Sequence, residues 1–378
     1  MSLSFLHTAD WHIGKPFRKF PERLAGRLDA ARLEAIDTIA RLARERGAGH
    51  VLVAGDVFDR DDLPPLNRRQ AVERLARAPH VTWWLLPGNH DPARPKGLWS
   101  RLAADGLPAN IRVVDRAEPV HFAPGVVLLP APLAMRAAAD DPTRWFDAAT
   151  TAPDAVRIGL AHGSIKAFGS AGDPSAVIDP ARARSAGLAY LALGDWHGTL
   201  RVDDRTWFSG TPEPDRFLDN DPGNVLHVTI AGPAAPPVVE KVPTRQFIWH
   251  RIERDIFETD ALAAIERSLE TLADDPARVL LELVLGGRLP LAEVAAVQRW
   301  RERLEARLMH LEADLSGLGV AAESAIGALA DAGGEVLATA RVLEAAASGA
   351  ADAESRRVAE LALLRLLSFV DDARGRTA

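Results

Sequence analysis

Five short motifs concentrate carboxylate, amide and imidazole side chains: Asp10-Trp11-His12, Gly55-Asp56-Val57-Phe58-Asp59, Gly88-Asn89-His90-Asp91, His162-Gly163 and Gly194-Asp195-Trp196-His197. Their polar groups are oxygen or imidazole donors with no thiolate, the mixture that suits metals of intermediate to hard character such as manganese. Alternate residues of an extended segment point the same way, so Asp10 and His12 could clasp one ion together, as could Asp195 and His197 near one ion pair. The glycines let the backbone turn sharply where a strand ends. Any one of these motifs alone reads as an ordinary turn. Five in this order, each where an apolar run stops, point to a dinuclear metal site.

The elements that must carry these motifs show in the hydrophobic pattern. Apolar runs at Ser4–Thr8, His50–Ala54 and Val81–Leu86, and near 111–114, 126–129, 156–161 and 189–193, read as strands. Arg23 to Arg46 places Leu24, Leu28, Ala31, Ile36, Ile39 and Leu42 near helical spacing and stops before Gly47; residues 67–77 read as a second helix. Strands alternating with helices predict an α/β layered core, in which ligands gather at the carboxyl ends of the strands.

Length and composition set the outer limits. The 378 residues are 47% hydrophobic, enough for about two domains and a sizeable core. The absence of cysteine excludes a disulfide-stapled scaffold and any Cys-ligated zinc, iron–sulfur or thiol chemistry. A net charge of −7 speaks against a simple basic nucleic-acid-coating protein, but the charge is uneven. Residues 1–100 carry 16 basic and 12 acidic side chains (+4), whereas 251–350 carry 10 and 18 (−8). The opening MSLSFLHTADWHIGKP has no basic n-region, and no run approaches the roughly 20 apolar residues of a membrane span. A cytoplasmic protein without membrane contact is expected.

Pro233, Pro236 and Pro237, among Ala and Gly, read as a connector, after which the pattern changes. Runs at Phe247–Ile252, Val279–Leu285 and Met309–Leu315 alternate with helical stretches at about 260–273 and 290–308, a compact βαβαβ-like unit. Beyond about 320 the chain is Ala-rich and helical, ending in a stretch with Val358, Leu361, Leu364, Leu366, Leu367, Phe369 and Val370 that is too apolar to stand alone in water. The expected domains are 1–243, 244–318 and 319–378.

The order D-x-H, GDxxD, GNHD, H and G-x-x-H resembles the calcineurin-like metallophosphoesterases. Within them, AGDVFDR at 54–60, LPGNHD at 86–91, AHGS at 161–164 and FSGTPEPDRF at 208–217 are similar to the SbcD-like DNA repair exonucleases. The resemblance covers about residues 3–230 by motif, and 245–318 fits that family's capping domain by position and pattern. It implies an α/β fold with a layered β-sandwich core flanked by helices, a small α+β cap and a helical tail. It also implies two divalent ions, most simply Mn2+, with Mg2+, Fe or Zn as other choices. Asp10, His12 and His197 would hold the first ion, Asn89 and His162 the second, with Asp56 bridging. His90 would act on the phosphoryl group or leaving oxygen, and Asp91 and Asp59 would orient it and the ligands. The implied partners are DNA and an SMC-like coiled-coil ATPase that docks on the region after the cap, with homodimerisation as a family habit. The implied reaction is exonuclease-type phosphodiester hydrolysis in DNA repair.

One position departs from the family. Where it has a Gly-His-x-His ending with its first histidine on the second ion, this chain has Asp195. A carboxylate reaches about as far as the near imidazole nitrogen, so ligation survives, but the added negative charge should favour harder ions over zinc. Two rival readings share the same motifs: a phosphodiesterase for a small nucleotide or other phosphoester, and a slow scaffold subunit of a repair complex.

The remaining features have plainer readings. His7 reads as a structural histidine, Trp83 and Trp84 as core, and Trp11 and Trp196 as a floor pointing away from the ions. Lys15, Arg18, Lys19, Arg23 and Arg27 follow the first ligand pair; they form either a solvated face or a phosphate-backbone track that Arg68 and Arg69 extend. Arg216 either contacts substrate or braces a loop.

Overall fold

In the computed structural model, which describes residues 3–165, 176–320, 329 and 332–375, the chain opens with a short apolar strand, β1 (Leu3–Thr8). Helix α1 (Glu22–Glu45) follows, then β2 (His50–Val53), α2 (Pro65–Ala76), β3 (Thr82–Leu85), α3 (Leu98–Asp105) and β4 (Ile111–Val113). β1 to β4 pair in parallel, in chain order. The next strands, β5 (Val120–Ala123), β6 (Val126–Ala131) and β7 (Val156–His162), begin a second sheet. A two-residue pair, β8 (Ser164–Ile165) and β9 (Val177–Ile178), and the single turn α4 (Arg182–Ser185) lead to β10 (Tyr190–Gly194). The short β11 (Leu200–Arg201) and β12 (Thr206–Phe208) complete this sheet in the order β11-β12-β10-β7-β6-β5. The hairpin β13 (Asn224–Ile230) and β14 (Val238–Pro243) returns to the first sheet, antiparallel against β1.

These strands are continuously apolar because both of their faces are covered. Along β2 and β3, Val51, Val53, Trp83 and Leu85 face one way and pack with Ile36, Ile39 and Leu42 of α1. Leu52 and Trp84 face the other way and meet Leu128, Ile158 and Tyr190 of the second sheet. The outer face of the second sheet is closed by Phe146, Ala183 and Leu188. The result is a layered sandwich of two sheets between helices, the α/β layering that the sequence pattern predicts and the sandwich that the family resemblance implies. Both tryptophans are core, and each such buried side chain contributes roughly 1.5–3 kcal/mol.

The Pro233–Pro237 segment is not a connector between domains. It is the turn of the β13–β14 hairpin, whose register runs from Thr229 opposite Val238 to Asn224 opposite Pro243. Proline suits this place because β14 lies at the sheet edge, where a missing N–H costs no ladder bond.

The chain forms two compact units, Met1–Asp215 with Asp219–Gln246, and Arg216–Leu218 with Phe247–Ala378. The second unit holds β15 (Ile248–Ile256), α5 (Asp260–Leu272), β16 (Val279–Leu289), α6 (Leu291–Arg307) and β17 (His310–Val320), with all three strands parallel. Leu281, Leu283 and Leu285 pack with Ile265 and Trp300, whose indole N–H donates to Glu266 (2.8 Å). Helices α7 (Gly334–Ser348) and α8 (Ala353–Gly375) follow and share a small core at Ala340 and Leu363, with Leu366 and Val370 beside it. Val358, Leu361 and Phe369 remain exposed. Of the helical region 319–378, positions 321–328, 330–331 and 376–378 lie outside the described residues. No helix among the described residues is long and apolar enough to cross a membrane.

One polar contact crosses the sandwich interior. His7 on β1 is fully buried, with Nε2–H donating to the Leu193 carbonyl (3.2 Å) and Nδ1 accepting from the Tyr190 hydroxyl (2.9 Å). Burial pushes its imidazole down to about 3, against the raising effect of the Leu193 bond. The unfolded imidazole takes up its proton near pH 6.5, so the unfolded state binds more protons below that pH and stability falls from about pH 6.5 toward pH 3. A His7→Gln variant, which cannot titrate, should show a shallower fall of the urea midpoint across that window than the parent protein. Parallel curves would refute the assignment.

Candidate metal centre

The motif loops leave the carboxyl ends of β1, β2, β3, β7 and β10, so two sheets feed one site. The first two loops are laced together along their backbones. Asp10 N–H donates to the Gly55 carbonyl (3.1 Å), His12 N–H to Asp56 (2.9 Å), Ile13 N–H to Val57 (3.0 Å), and Asp59 N–H back to Ile13 (3.1 Å). This lacing holds Asp10, His12 and Asp56 at φ of +54°, +44° and +52°, and Asp195 stands at +102°. Such conformations cost on the order of 1–3 kcal/mol each and persist only where the surroundings over-determine them. The expected extended Asp10-x-His12 segment is therefore replaced: β1 ends at Thr8, and two left-handed residues bring both side chains inward. Trp11 between them points into the core, edge-on to Trp83, with its indole N–H on the Thr8 hydroxyl (2.9 Å).

Two glycines are required by close approach. A Cβ on Gly55, itself at φ +90°, would lie 2.2 Å from His162 Nδ1, and one on Gly194 would lie 2.0 Å from the Ala54 carbonyl. Gly194 does not have a positive φ, so clearance and not turning explains it.

The side chains converge in overlapping groups. Ligand atoms of Asp10, His12 and His197 lie within 4.8 Å of one another, as do those of His12, Asp56 and His90, and those of Asp10, Asp56 and His162. His12 Nε2 and His197 Nε2 are 3.3 Å apart, and His12 Nε2 is 3.6 Å from Asp56 Oδ2. On the other side, His162 Nε2 accepts from the Asn89 amide N–H (2.8 Å), which also donates to Asp56 Oδ2 (3.0 Å), and it lies 3.5 Å from Asp56 Oδ2 and 3.7 Å from Asp195 Oδ1. Asp195 thus reaches the group containing Asn89 and His162, while its backbone N–H donates to the Asp10 carboxylate (3.1 Å).

Electrostatics mark the same place. Burial raises Asp10 to about 6, with Asp56 and Asp195 adding to the rise and His197 and His162 opposing it. Burial also depresses His162, but Asp56, Asp10 and Asp195 outweigh it and bring the imidazole up to about 9. His12 is pushed well down by burial and by the neighbouring His197, His90 and Arg32. An all-oxygen-and-imidazole set around buried carboxylates fits divalent cations, which would relieve the charge that burial makes costly.

Of the supporting residues, Asp59 meets His90 and His12 as expected, and Asp91 is placed otherwise. Asp91 does not face His90: its buried carboxylate accepts the N–H groups of Gly88 (2.8 Å) and Phe58 (3.0 Å), tying the third loop to the second. Burial, then Asp56, raise it well above the carboxylate range, and the two backbone bonds oppose this. The His90 ring is held instead by the Asp59 carbonyl (2.8 Å), and its backbone N–H donates to Asp56 (2.9 Å). The Asp59 carboxylate lies 3.5 Å from His12 Nδ1. Lys15, read as part of either a solvated face or a phosphate track, is paired with Asp215. Arg18, Lys19, Arg23, Arg27 and Arg216 are exposed; Arg68 donates to the Leu63 carbonyl. Sequence reasoning missed Asp215 and Arg32. Arg32 lies on the buried face of α1 and donates to the Trp11 and Glu213 carbonyls; a cation on an apolar helical face was the available signal.

Residues 3–185 match the family described as calcineurin-like phosphoesterase. The chain carries a calcineurin-like phosphoesterase domain. This phosphoesterase is therefore a metal-dependent hydrolase of phosphoester bonds. It is similar to the DNA double-strand break repair protein Mre11 of Aeropyrum pernix, 27% identical over 334 residues that cover 79% of this chain and 76% of that protein. Among solved structures it is similar to a Thermus thermophilus protein (13% identity, TM-score 0.41, 65% of this chain and 100% of that one). The yellow lupin (Lupinus luteus) purple acid phosphatase is also similar (12% identity, TM-score 0.41, 65% and 52%).

Cation binding to this phosphoesterase should release protons. Asp56, Asp10 and Asp195 raise metal-free His162 to about 9, so a cation competes with a proton for its Nε2 at pH 7, while Nδ1–H stays on the Ala54 carbonyl. Mn2+ titrations in two buffers of different ionisation heat should give net proton release near one per site at pH 7, falling toward zero above pH 9. Affinity should weaken further below about pH 6 as Asp10 protonates.

Proposed function

We propose that this phosphoesterase is a two-metal DNA nuclease of the double-strand-break repair kind. The observation that carries the reading is that Asp56 Oδ2 stands between the two sides of the site, 3.6 Å from His12 Nε2 and 3.5 Å from His162 Nε2, the place of a bridging carboxylate. The similarity to Mre11 supplies the substrate class. In this reading Asp10, His12 and His197 hold one ion, Asn89, His162 and Asp195 the other, and Asp56 both.

When bound, two divalent ions would supply an activated water and neutralise charge on the phosphate. The residues of the chain do the remainder. His90 donates Nδ1–H to the Asp59 carbonyl, which leaves Nε2 to carry a proton toward the leaving sugar oxygen. The Asp56 carboxylate fixes the His90 backbone, so the ligand loop and the proton donor move as one piece. Arg18, Lys19 and Arg216 are exposed cations suited to phosphate-backbone contact.

We further assign residues 1–243 as the nuclease domain, 244–318 as a cap and 319–378 as a helical region. That helical region offers exposed Val358, Leu361 and Phe369 to an SMC-like coiled-coil ATPase. Homodimerisation and a cytoplasmic location complete the proposal. The carboxylate of Asp195 favours manganese, with magnesium ahead of zinc.

The test is Mn2+-dependent degradation of linear duplex and single-stranded DNA. Asp56→Asn should lower kcat/KM by about a thousandfold or more. His90→Gln should lower kcat about a hundredfold or more while leaving Mn2+ binding intact. Hydrolysis of bis(p-nitrophenyl) phosphate with none of DNA would replace this reading with a small-phosphoester hydrolase. Asp195→His should shift metal preference toward zinc and move the pH–rate profile; an unchanged preference and profile would remove Asp195 from the tuning role.

A further inference from the structure

A buried carboxylate that takes no part in the proposed reaction stands directly behind one of the ligands. The Asp215 side chain is 1% exposed, and its Oδ1 lies 3.3 Å from His197 Nδ1. Its Oδ2 receives the Lys15 ammonium and lies 3.5 Å from the Arg32 guanidinium. Burial would raise this carboxyl, but His197, Arg32 and Lys15 outweigh it and hold it well below the usual range.

We propose that Asp215 is the positioning residue for His197, with Lys15 and Arg32 holding its other oxygen. The inference rests on reading His197 as a metal ligand. With Lys15 and Arg32 on Oδ2, Oδ1 is left to accept from His197, so in the neutral ring Nδ1 carries the proton and Nε2 the lone pair. That lone pair is on the side of the ring facing His12 Nε2, 3.3 Å away, where the ligand atoms of Asp10, His12 and His197 converge. The opposite tautomer would set two acceptors against each other at Asp215 and aim an N–H at the ion. The negative charge also makes the imidazole a stronger donor to a cation.

The pairing assigns Lys15 a role other than substrate contact. Three residues after His12, it ties the loop bearing Asp10 and His12 to the segment bearing Asp215, so both sides of this ion group are held by one buried charge cluster. Arg32 reaches the same cluster from α1 and also donates to the Trp11 carbonyl, between the two ligands of the first loop.

Nitrogen-15 imidazole shifts of the metal-free protein, with His197 assigned by its loss in His197→Gln, read the tautomer directly. The expected state is Nδ1 protonated and Nε2 bare. In Asp215→Asn the tautomers should mix, and Mn2+ calorimetry should show one of two binding events weakened about 10–100-fold, with the other within about threefold. Lys15→Met should weaken the same event without altering affinity for duplex DNA in EDTA. His197 protonated on Nε2 in the parent protein, or unchanged Mn2+ binding in a folded Asp215→Asn, would overturn the assignment. Failure of the parent protein to bind two ions, with the Nδ1–H tautomer present, would instead remove the two-metal reading and leave the pairing standing.

Discussion

Buried negative charge around Asp56 is the constraint from which the rest of the structure follows. Asp10 and Asp56 are almost wholly removed from water, and Asp195 reaches the same space. Carboxylates so placed cost several kcal/mol each unless positive charge or N–H groups meet them. The chain supplies N–H groups from His90 and Asn89 to Asp56 and from Asp195 to Asp10, and the carboxylates raise the neighbouring His162 to about 9. The left-handed residues and the clearances at Gly55 and Gly194 are the geometric terms on which these donors come close enough. In a site of this kind the chain's own donors and any bound cation meet the same carboxylate charge, which links protonation to metal binding.

Much of this was legible in the sequence because the site residues sit where apolar runs stop. Asp56, Asn89, His162 and His197 announce themselves by residue type and place, and the strands before them are marked by unbroken apolar runs. What was not legible depends on direction. Asp91 is adjacent to His90 in sequence, yet its carboxylate turns back to Gly88 and Phe58, and no pattern distinguishes those outcomes. The Asp10-x-His12 spacing suggested an extended strand, while the structure bends both residues into left-handed conformations, since cross-loop backbone bonds decide the dihedrals there. Pro233–Pro237 looked like a boundary and is a hairpin turn, because proline marks the turn at an edge strand as readily as a linker.

Charge patterning behaved in the same way. The basic run after the first ligand pair divides by burial: Lys15 is drawn inward to Asp215, and Arg18, Lys19, Arg23 and Arg27 stay in solvent. Arg32, which belongs to no run, is the cation most deeply built into the site's support. Sequence separation conceals such pairings; Lys15 and Asp215 are 200 residues apart and meet only after both sheets have stacked.

That stacking has a consequence of its own. Loops of the first sheet supply Asp10, Asp56 and Asn89, and loops of the second supply His162, Asp195 and His197. A substitution deep in the interlayer core, at Leu52 or Ile158 for instance, could slide one layer by a fraction of a side chain and leave a well-folded protein. Neither proposed ion position would survive the slide, since each draws on both layers. In this architecture the catalytic centre is a far stricter judge of drift than the fold is, so lineages can be expected to lose activity long before they lose the sandwich.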